Sequence, residues 1–447
     1  SKKNKEDKPT SKVKGWIGSK YVESAYVDNE PAFVVNDTEK KIISYEREIK
    51  HNDRIFQPLQ GYEYGYKPYK LTSEEIKRLN SEMISNERIL SDIMKVVQWY
   101  VTAPLRDQVL ITGEILLTYC QEWISTVHFP FFVGETESGK STALHLGKHL
   151  AYRCVVSEDW PHADVYNFLG TTEEGTGTIC EDEAQEMERD REKIRTYKNS
   201  YSKGSVKPRV IITSAGKYQV FYKTFCCKWF AGENVPHDKG FLERLVIVHM
   251  LGGKPRGNLK SASIREQQFL KELRNKLLIW KMQNIGKEFL KIDTGLSGRN
   301  QELWQDFLSI FHGTKFEDDA KQVTEFYLKQ RKESIKDSLE AKIFRSIKPL
   351  LDQDMEIRST SIWNRVTNSD ELAGKLDEKT GNTFYLDEDD RALTKNLVAD
   401  IVRFKFQAKK KIRYEKTESG RKKITSYIFD EEIVRFLSEK YYVEDSL

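Results

Sequence analysis

The chain has 447 residues, of which 38% are hydrophobic and 32% are charged, and its formal net charge at pH 7 is +4. One ordinary hydrophobic core does not extend over this length, so two to four domains are expected. The longest apolar stretches, such as the one that begins at Gln108, are too short for a membrane span. The charged N-terminus has no apolar signal segment, so we expect a cytoplasmic, intracellular protein.

None of the five cysteines forms a CxxC pair, and no His/Cys spacing is typical of a zinc site. Most of them have apolar neighbours, which predicts buried free thiols in a reducing compartment. The cysteines are Cys120, Cys154, Cys180, Cys226 and Cys227.

Pattern and composition divide the chain into six regions. We expect a flexible arm over 1–12, a small β-rich module over 13–70, a helical connector over 71–126, an α/β core over 127–257, a helical region over 258–336 and a C-terminal domain over 337–447. The connector is predicted as one helix from Thr72 to about Val101 and a second from about Asp107 to Ser125.

Aromatic residues cluster near the start of the β-rich module, at Trp16, Tyr21, Tyr26 and Phe33. Such a cluster can stack on the bases of a single nucleic-acid strand. Aromatic residues also favour strands and cores, and we favour the core of the β-rich module as their location.

The stretch "FPFFVGETESGKSTALHL", from Phe129 to Leu146, contains every fixed residue of the G-x-x-x-x-G-K-[ST] pattern. An apolar strand candidate precedes the loop and a helix candidate follows it. The glycines let backbone N–H groups converge on phosphate, and the helix directs its positive end at the anion. A nucleotide-binding loop is therefore predicted, in preference to a Gly-rich turn. The predicted contact residues are Gly134, Glu135, Thr136, Glu137, Ser138, Gly139, Lys140, Ser141 and Thr142.

Some forty residues later, "GTGTICEDEAQ" predicts a strand from Thr176 to Cys180 that ends in acids. A carboxylate at a strand end beside the loop can hold Mg²⁺ together with Ser141, and the next one can orient a water. We assign Asp182 to Mg²⁺ and Glu183 to the water, with Glu181 as the alternative if the register is shifted by one. An acidic helix N-terminus fits the same residues less well.

The segment "CCKWFAGENVPHDKGFLERLVIVHM" adds a strand with a polar end and an arginine ahead of another strand. Together with the loop and the acids, it resembles AAA+ ATPases, most strongly MCM-type replicative helicases and the helicase-like ATPase domains of phages, plasmids and archaeal mobile elements. This resemblance implies that Lys140 neutralises the β- and γ-phosphates, that Asn234 senses the γ-phosphate, and that Arg244 acts in trans on a neighbouring subunit's nucleotide. A surface salt bridge between Arg244 and Glu243 is the alternative.

The segment "TGLSGRNQELWQDFLSIF" resembles the start of a lid helix in the same ATPases. The resemblance implies that Arg299 is the second sensor arginine. A plain Gly-Arg helix start explains the segment about equally well.

Between the acids and the sensor strand, "NSYSKGSVKPRVIITSAGKYQVFYKTF" predicts a β-hairpin with Lys217 at its tip. MCM-type helicases carry a hairpin here that points a lysine into the central channel, so the resemblance implies contact with the DNA backbone. An edge hairpin kept soluble by lysine is the alternative. The candidate contact residues are Lys203, Lys207, Arg209, Lys217 and Lys223.

After Asp337 the pattern predicts three helices, the third capped by Thr394, and then a basic β-hairpin. This is the winged-helix layout, in which MCM-type ATPases often end. From Lys395 to Lys423 there are eleven Lys/Arg and three acids, which predicts DNA binding through phosphates with little base specificity. A winged helix that contacts protein is the alternative. The candidate DNA contacts are Lys409, Lys410, Lys411, Arg421, Lys422 and Lys423.

The expected fold class is an α/β P-loop AAA+ core with a helical lid, a small β-rich N-terminal module and a C-terminal winged-helix domain. The expected function is that of an ATP-hydrolysing, ring-forming DNA motor, a helicase or translocase that uses ATP and Mg²⁺ and assembles as a homo-oligomer, with a hexamer expected. Two alternatives stay open. One is an ATP-switched DNA-binding initiator or loader without unwinding, and the other is a protein-remodelling ATPase.

Overall fold

The computed structural model describes residues 9–59, 65–158, 160–171, 173–214, 216–372, 375–376, 383–384, 393–417 and 420–443. Its contacts form two compact units, residues 1–327 and 328–447. None of the helices in these ranges combines the length and the apolar character that crossing a bilayer needs.

Short strands build the N-terminal part of the first unit. They are β1 (Thr10–Lys12), β2 (Lys14–Ile17), β3 (Lys20–Val27), β4 (Glu30–Asp37), β5 (Ile42–Glu46), β6 (Ile49–His51), β7 (Arg54–Pro58) and β8 (Lys70–Leu71). One sheet has the order β2-β3-β4-β5, with β8 on β3, and the other has the order β1-β7-β6. Tyr21 and Phe33 are buried, as expected for core aromatics, whereas Trp16 is 49% exposed. Because Thr10–Lys12 pairs with β7, the expected flexible arm is wrong for these residues.

The predicted helix from Thr72 to Val101 is two helices, α1 (Ser73–Leu79) and α2 (Asn86–Tyr100). The break occurs because Ser85 acts as a new N-cap, whose Oγ accepts the backbone N–H of Arg88 at 3.2 Å. Helix α3 (Leu105–Tyr119) ends six residues earlier than predicted and is almost wholly buried.

The centre of the first unit is a five-stranded parallel sheet with the order β10-β11-β14-β9-β15. Its elements, with the hairpin β12–β13, are β9 (Phe129–Val133), α4 (Lys140–Leu150), β10 (Cys154–Ser157), α5 (His162–Leu169), β11 (Thr178–Glu181), α6 (Arg191–Asn199), β12 (Val206–Thr213), β13 (Gly216–Lys223), β14 (Cys227–Gly232), α7 (Lys239–Leu242) and β15 (Leu245–His249). The strand before the loop and the helix after it are confirmed. All carboxyl ends of the strands meet at one edge, which we call the P-loop edge, and all amino ends meet at the opposite edge.

Long helices follow the sheet. They are α8 (Ile264–Asn284), α9 (Gly298–Phe311) and α10 (Glu317–Asp337), the last of which passes from the first unit into the second. The region was expected to be helical throughout, but a non-helical segment separates α8 from α9. Each of the five cysteines is buried and free, as predicted.

The second unit consists of α11 (Leu339–Leu351), β16 (Glu356–Arg358), α12 (Ser359–Thr367), β17 (Lys375–Leu376), β18 (Thr383–Phe384), α13 (Lys395–Asp400), β19 (Lys409–Thr417), β20 (Gly420–Ile428) and α14 (Glu431–Tyr441). A π-helical turn, Ile401–Lys405, continues α13. The three predicted helices and the hairpin are present, and Thr394 caps α13 as predicted. The sequence did not reveal α14 or β16, which completes a sheet with the order β16-β20-β19.

Candidate nucleotide-binding site

The predicted phosphate loop joins β9 to α4 and depends on two glycines. A Cβ on Gly134 would lie 2.5 Å from the carbonyl O of Met250 and 2.5 Å from Ser138 Oγ, so a larger residue does not fit there. Gly139 has a φ of +93°, which glycine adopts without strain. Lys140 is buried and donates from Nζ to the carbonyl O of Glu135 at 3.2 Å. The ammonium group is therefore held over the loop.

The start of α4 is suited to an anion. Its N-cap, Gly139, supplies no side-chain acceptor, so the first-turn N–H groups are not capped from that position. Ser138 Oγ is buried and has no hydrogen-bond partner in the part of the chain that the structure describes. Uncapped donors, a buried lysine and an unpaired hydroxyl fit the phosphates of a nucleotide.

The acid at the end of β11 has a structural role. Glu181 is 1% exposed, and its two carboxylate oxygens accept hydrogen bonds from Lys193 Nζ and Tyr197 OH, each at 2.7 Å. With both oxygens engaged inside the protein, Glu181 is not free to bind a metal ion. Asp182 and Glu183, which lie beyond the strand end, therefore stay the candidates for the metal ion and the water.

The charge of Asp182 influences a histidine on the phosphate-loop helix. Burial lowers the pKa of His145, and Asp182 opposes this shift with its negative charge. His145 lies one turn after Ser141 on α4, so the two side chains share a face of that helix. Asp182 and Ser141, the two residues assigned to Mg²⁺, thus lie on neighbouring elements at the P-loop edge.

A hydrogen-bonded chain joins the loop to Glu183. Thr136 Oγ1 donates to Glu233 Oε1 at 3.3 Å, the backbone N–H of Glu233 donates to Gln185 Oε1 at 3.2 Å, and Gln185 Nε2 donates to Glu183 Oε2 at 2.5 Å. Glu183 has a φ of +53°, a strained conformation for a residue with a side chain. The side chain that hydrogen-bonds to the loop from the β14 end is that of Glu233, and the predicted sensor Asn234 is the next residue; both are exposed.

A cavity of about 600 Å³ opens beside the loop. Its walls are the segment Tyr100–Thr102, the loop residues Glu137–Gly139 with the start of α4, and the segment Gly252–Lys260. The backbone N–H of Gly252 donates to the carbonyl O of Ser138 at 3.0 Å, which fixes this wall to the loop. Lys254, Arg256 and Lys260 add positive charge. The sequence prediction missed this wall, although the run "GGKPRGN" after a strand is a glycine-rich, basic signal.

Arg244 lies at the edge of the sheet opposite the loop. It precedes β15, and its carbonyl O accepts the backbone N–H of Phe129, the first residue of β9. A strand of this length separates it from its own loop by about 15 Å. Its guanidinium donates to the carbonyl O of Gly240 and stacks on Tyr201, with the Cζ atom 4.5 Å from the ring centre. The alternative salt bridge with Glu243 is not formed.

Arg299 lies beside the same aromatic ring as Arg244. Its Cζ atom is 4.7 Å from the centre of the Tyr201 ring, and its Nη1 donates to Glu302 at 3.0 Å. The structure therefore brings the two predicted arginines together at the edge opposite the loop. A role for Arg299 as a sensor of the nucleotide in its own chain does not agree with this position.

The predicted hairpin exists, with β12 and β13 paired from Val206↔Lys223 to Thr213↔Gly216. Directly opposite residues share a face, so the pairing defines an outer and an inner face. Lys217 and Lys223 share the outer face with exposed apolar side chains. These are Val206, Val210, Ile212 and Phe221, which are 50%, 62%, 72% and 51% exposed.

The other predicted hairpin cations already have partners. Arg209 lies over the Tyr166 ring at 4.5 Å, and Lys207 pairs with Glu192 at 3.7 Å. Lys203 lies outside the hairpin and donates to the carbonyl O of Glu122 at 2.8 Å. Burial lowers the pKa of Lys203. Lys217 and Lys223 are thus the better placed of the predicted hairpin contacts.

The hairpin β19–β20 of the second unit also has two different faces. One face carries Lys409, Lys411, Arg413 and Lys422 together with Glu415, and Glu356 pairs with Lys411 at 2.7 Å and with Arg413 at 3.2 Å. The other face carries Lys410, Lys416, Arg421 and Lys423 around the exposed Ile412 and Tyr414, with no acid among its described residues. The predicted cations therefore divide between a partly neutralised and an acid-free face.

The chain matches no protein-family model and no curated protein. Solved structures that resemble it include the C-terminal region of NrS-1, at 11% identity over 92% of this chain and 96% of that chain, with a TM-score of 0.33. An MCM homologue from Methanopyrus kandleri is 9% identical over 69% and 77% of the two chains, with a TM-score of 0.34. The SCCmec type IV Cch helicase is 11% identical over 88% and 78%, with a TM-score of 0.32. Similarity at this level does not establish a function.

Proposed function

We propose that this chain is an ATP-hydrolysing, ring-forming DNA motor, a helicase or translocase of the AAA+ type with a C-terminal winged helix. The observation that carries the proposal is the division of the catalytic groups between the two edges of one sheet. The loop, Asp182 and Glu183 lie at the P-loop edge, and the arginine pair lies at the other edge. A complete site then needs two copies of the chain.

Each residue at the P-loop edge has a role that its position supports. The α4 N–H groups and Lys140 would bind the β- and γ-phosphates of ATP. Ser141 and Asp182 would hold Mg²⁺, which would neutralise charge at the phosphate oxygens. Glu183 orients a water molecule and accepts its proton while the water oxygen bonds to the γ-phosphorus. The bond from that phosphorus to the bridging oxygen breaks, and ADP and phosphate leave.

Arg244 of a neighbouring copy supplies positive charge to the γ-phosphate in the transition state. Its own loop is out of reach at about 15 Å, so the arginine serves a partner or has no part in hydrolysis. This arrangement links hydrolysis to assembly, because an isolated copy lacks a catalytic group.

We propose DNA as the polymer on which the motor acts, because two hairpins present lysines on exposed faces. Lys217 and Lys223 on the first hairpin, and the acid-free face of the second, suit phosphate contacts that need no base identity. The apolar side chains around Lys217 favour a second candidate, a protein-remodelling ATPase, since exposed aliphatic groups also suit an unfolded polypeptide. An ATP-switched initiator or loader differs from the motor only in lacking unwinding.

The test measures ATPase activity alone, with single-stranded DNA, with double-stranded DNA and with an unfolded polypeptide, beside mass determination with ATP bound. We expect stimulation by DNA, none by polypeptide, and a nucleotide-dependent oligomer. Stimulation by polypeptide alone would support remodelling. DNA stimulation without displacement of a forked strand would support the initiator or loader, and a monomer with full activity would refute the shared site.

A further inference from the structure

Tyr201 is the centre of a cluster that no sequence motif indicated. The Cζ atoms of Arg244 and Arg299 lie 4.5 Å and 4.7 Å from the centre of its ring. Both distances are within the range of cation–π attraction, so one aromatic side chain holds two guanidinium groups.

The three members are fixed to one short segment ahead of β9. The carbonyl O of Tyr201 accepts the N–H of Val127 at 2.9 Å, and the carbonyl O of Arg244 accepts the N–H of Phe129 at 2.8 Å. Thr126 Oγ1 donates to the carbonyl O of Glu302, one turn after Arg299 on α9. Three elements distant in sequence therefore converge on residues 126–129, which sets the spacing of the two arginines.

The two arginines differ in their ion pairing. Glu302 pairs with Arg299 at 3.0 Å, whereas no carboxylate forms an ion pair with Arg244 among the described residues. Arg244 Nε is buried and has no hydrogen-bond partner among those residues. Burial lowers the pKa of Arg244, and the charge of Arg299 lowers it further. Two guanidinium groups held on one ring have the chemistry of a site for a polyanion with several oxygens.

We propose that Tyr201 is a positioning residue that aligns Arg244 and Arg299 as a two-arginine clamp for the triphosphate of a nucleotide bound by a second copy of the chain. This inference rests on the proposed function. The ring restricts the rotation of both guanidinium groups, so less entropy is lost when phosphate oxygens bind. Arg299 then acts across the interface together with Arg244.

The variant Tyr201→Leu removes the ring and keeps an apolar side chain at this half-buried position. We expect kcat for ATP hydrolysis to fall by about 10- to 100-fold with KM within about threefold, because the clamp acts mainly in the transition state. Tyr201→Phe keeps the ring face and should retain most of the rate. Tyr45→Leu is the matched control, since Tyr45 also carries an arginine, Arg47, at 5.4 Å but lies in the N-terminal β module.

Mixed oligomers separate a positioning role from a structural one. Tyr201→Leu subunits have an intact loop, and Glu183→Gln subunits have an intact clamp, so mixing the two should restore activity above the sum of the separate samples. Arg299→Ala should behave like Tyr201→Leu. Absence of rescue, while Arg244→Ala is rescued, would overturn the role of Tyr201, and so would an unchanged kcat in Tyr201→Leu.

Failure of the proposed function would give a different experimental result from failure of the clamp. If Lys140→Ala hydrolyses ATP normally, the nucleotide site itself is wrong. If Lys140→Ala is inactive and neither Arg244→Ala nor Tyr201→Leu loses activity, the nucleotide site stands and the clamp is refuted. Thermal unfolding of Tyr201→Phe and Tyr201→Leu controls for loss of fold, and a defect in Tyr201→Leu that Arg299→Ala does not share would also contradict the clamp.

Discussion

The two edges of the parallel sheet carry different sets of functional groups. The P-loop edge has a phosphate loop, an uncapped helix start and two acids, and the other edge has two arginines on one tyrosine ring. Glu183 at the first edge is held by a chain of hydrogen bonds to the loop, whereas Arg244 at the second is held by stacking and by the start of β9. In the proposed function, one copy therefore holds two half-sites, one at each edge of the sheet.

The largest expected loss of ATP turnover follows from a substitution at the P-loop edge. Lys140→Ala removes the buried ammonium group beside the phosphates, so we expect no measurable ATP turnover. Lys148→Ala, on the same helix but outside the loop, is the control and should keep turnover. A steady-state ATPase assay measures both, and normal hydrolysis in Lys140→Ala would refute the site.

At the opposite edge, Arg244→Ala should lower kcat by about 100- to 1000-fold while ATP binding stays within a few fold. In the proposed function this arginine, about 15 Å from its own loop, contributes only to a neighbour's transition state. Equilibrium binding of a fluorescent nucleotide and single-turnover hydrolysis separate the two effects. A loss of binding equal to the loss of rate would contradict a trans role.

Breaking the chain of hydrogen bonds at the P-loop edge should lower kcat less than the loss of Arg244 does. Gln185→Ala frees Glu183 from its partner at 2.5 Å and disconnects it from Glu233. We expect kcat to fall about tenfold, and Gln185→Glu should be worse because it sets a third carboxylate between two others. An unchanged kcat in Gln185→Ala would show that Glu183 is positioned by its backbone alone.

The hairpin β12–β13 leaves the sheet from the same edge as Arg244, between α6 and the start of β14. Lys217→Ala should leave basal ATPase activity intact and reduce its stimulation by DNA several-fold, because it removes a phosphate contact from the outer face. Lys207→Ala on the inner face is the control and should have less effect, since Lys207 pairs with Glu192. Equal effects of the two would argue against the division into faces.

The smallest effect concerns stability. Burial and then Lys67 lower the pKa of His149 to about 4, below the value near 6.5 of an unfolded chain. Between these pH values the unfolded state binds the extra proton, so this contribution is complete above about pH 6.5 and is lost as the pH falls toward 4. The Tm of His149→Gln should therefore fall less between pH 7 and pH 5 than the Tm of the parent chain. His51 is exposed, and His51→Gln should show the same fall in Tm as the parent chain.

The strand–loop–helix segment from β9 to α4 was predictable because its geometry depends on contiguous residues, and the glycines, Lys140 and the flanking elements all stand where the sequence indicated. The internal role of Glu181 was not predictable, since it depends on Lys193 and Tyr197 reaching the strand end. Local signals also failed at α2, where a single N-cap divides an otherwise continuous helical pattern.

Contacts between distant segments were not predictable. The wall formed by Gly252–Lys260 is adjacent to the loop only because β15 lies beside β9. Tyr201 belongs to no recognisable sequence motif. The two arginines beside its ring belong to elements that are distant from it along the chain. The faces of both hairpins depend on register, which composition does not determine.

The most direct measurement mixes two inactive variants. Arg244→Ala subunits keep an intact loop, and Glu183→Gln subunits keep an intact arginine, so mixed oligomers contain interfaces with one complete site. We predict that the ATPase rate of the mixture rises well above the sum of the two separate rates and is highest near equal proportions. A rate equal to that sum at every proportion, in mixtures shown by mass to contain both subunits, would contradict the shared site.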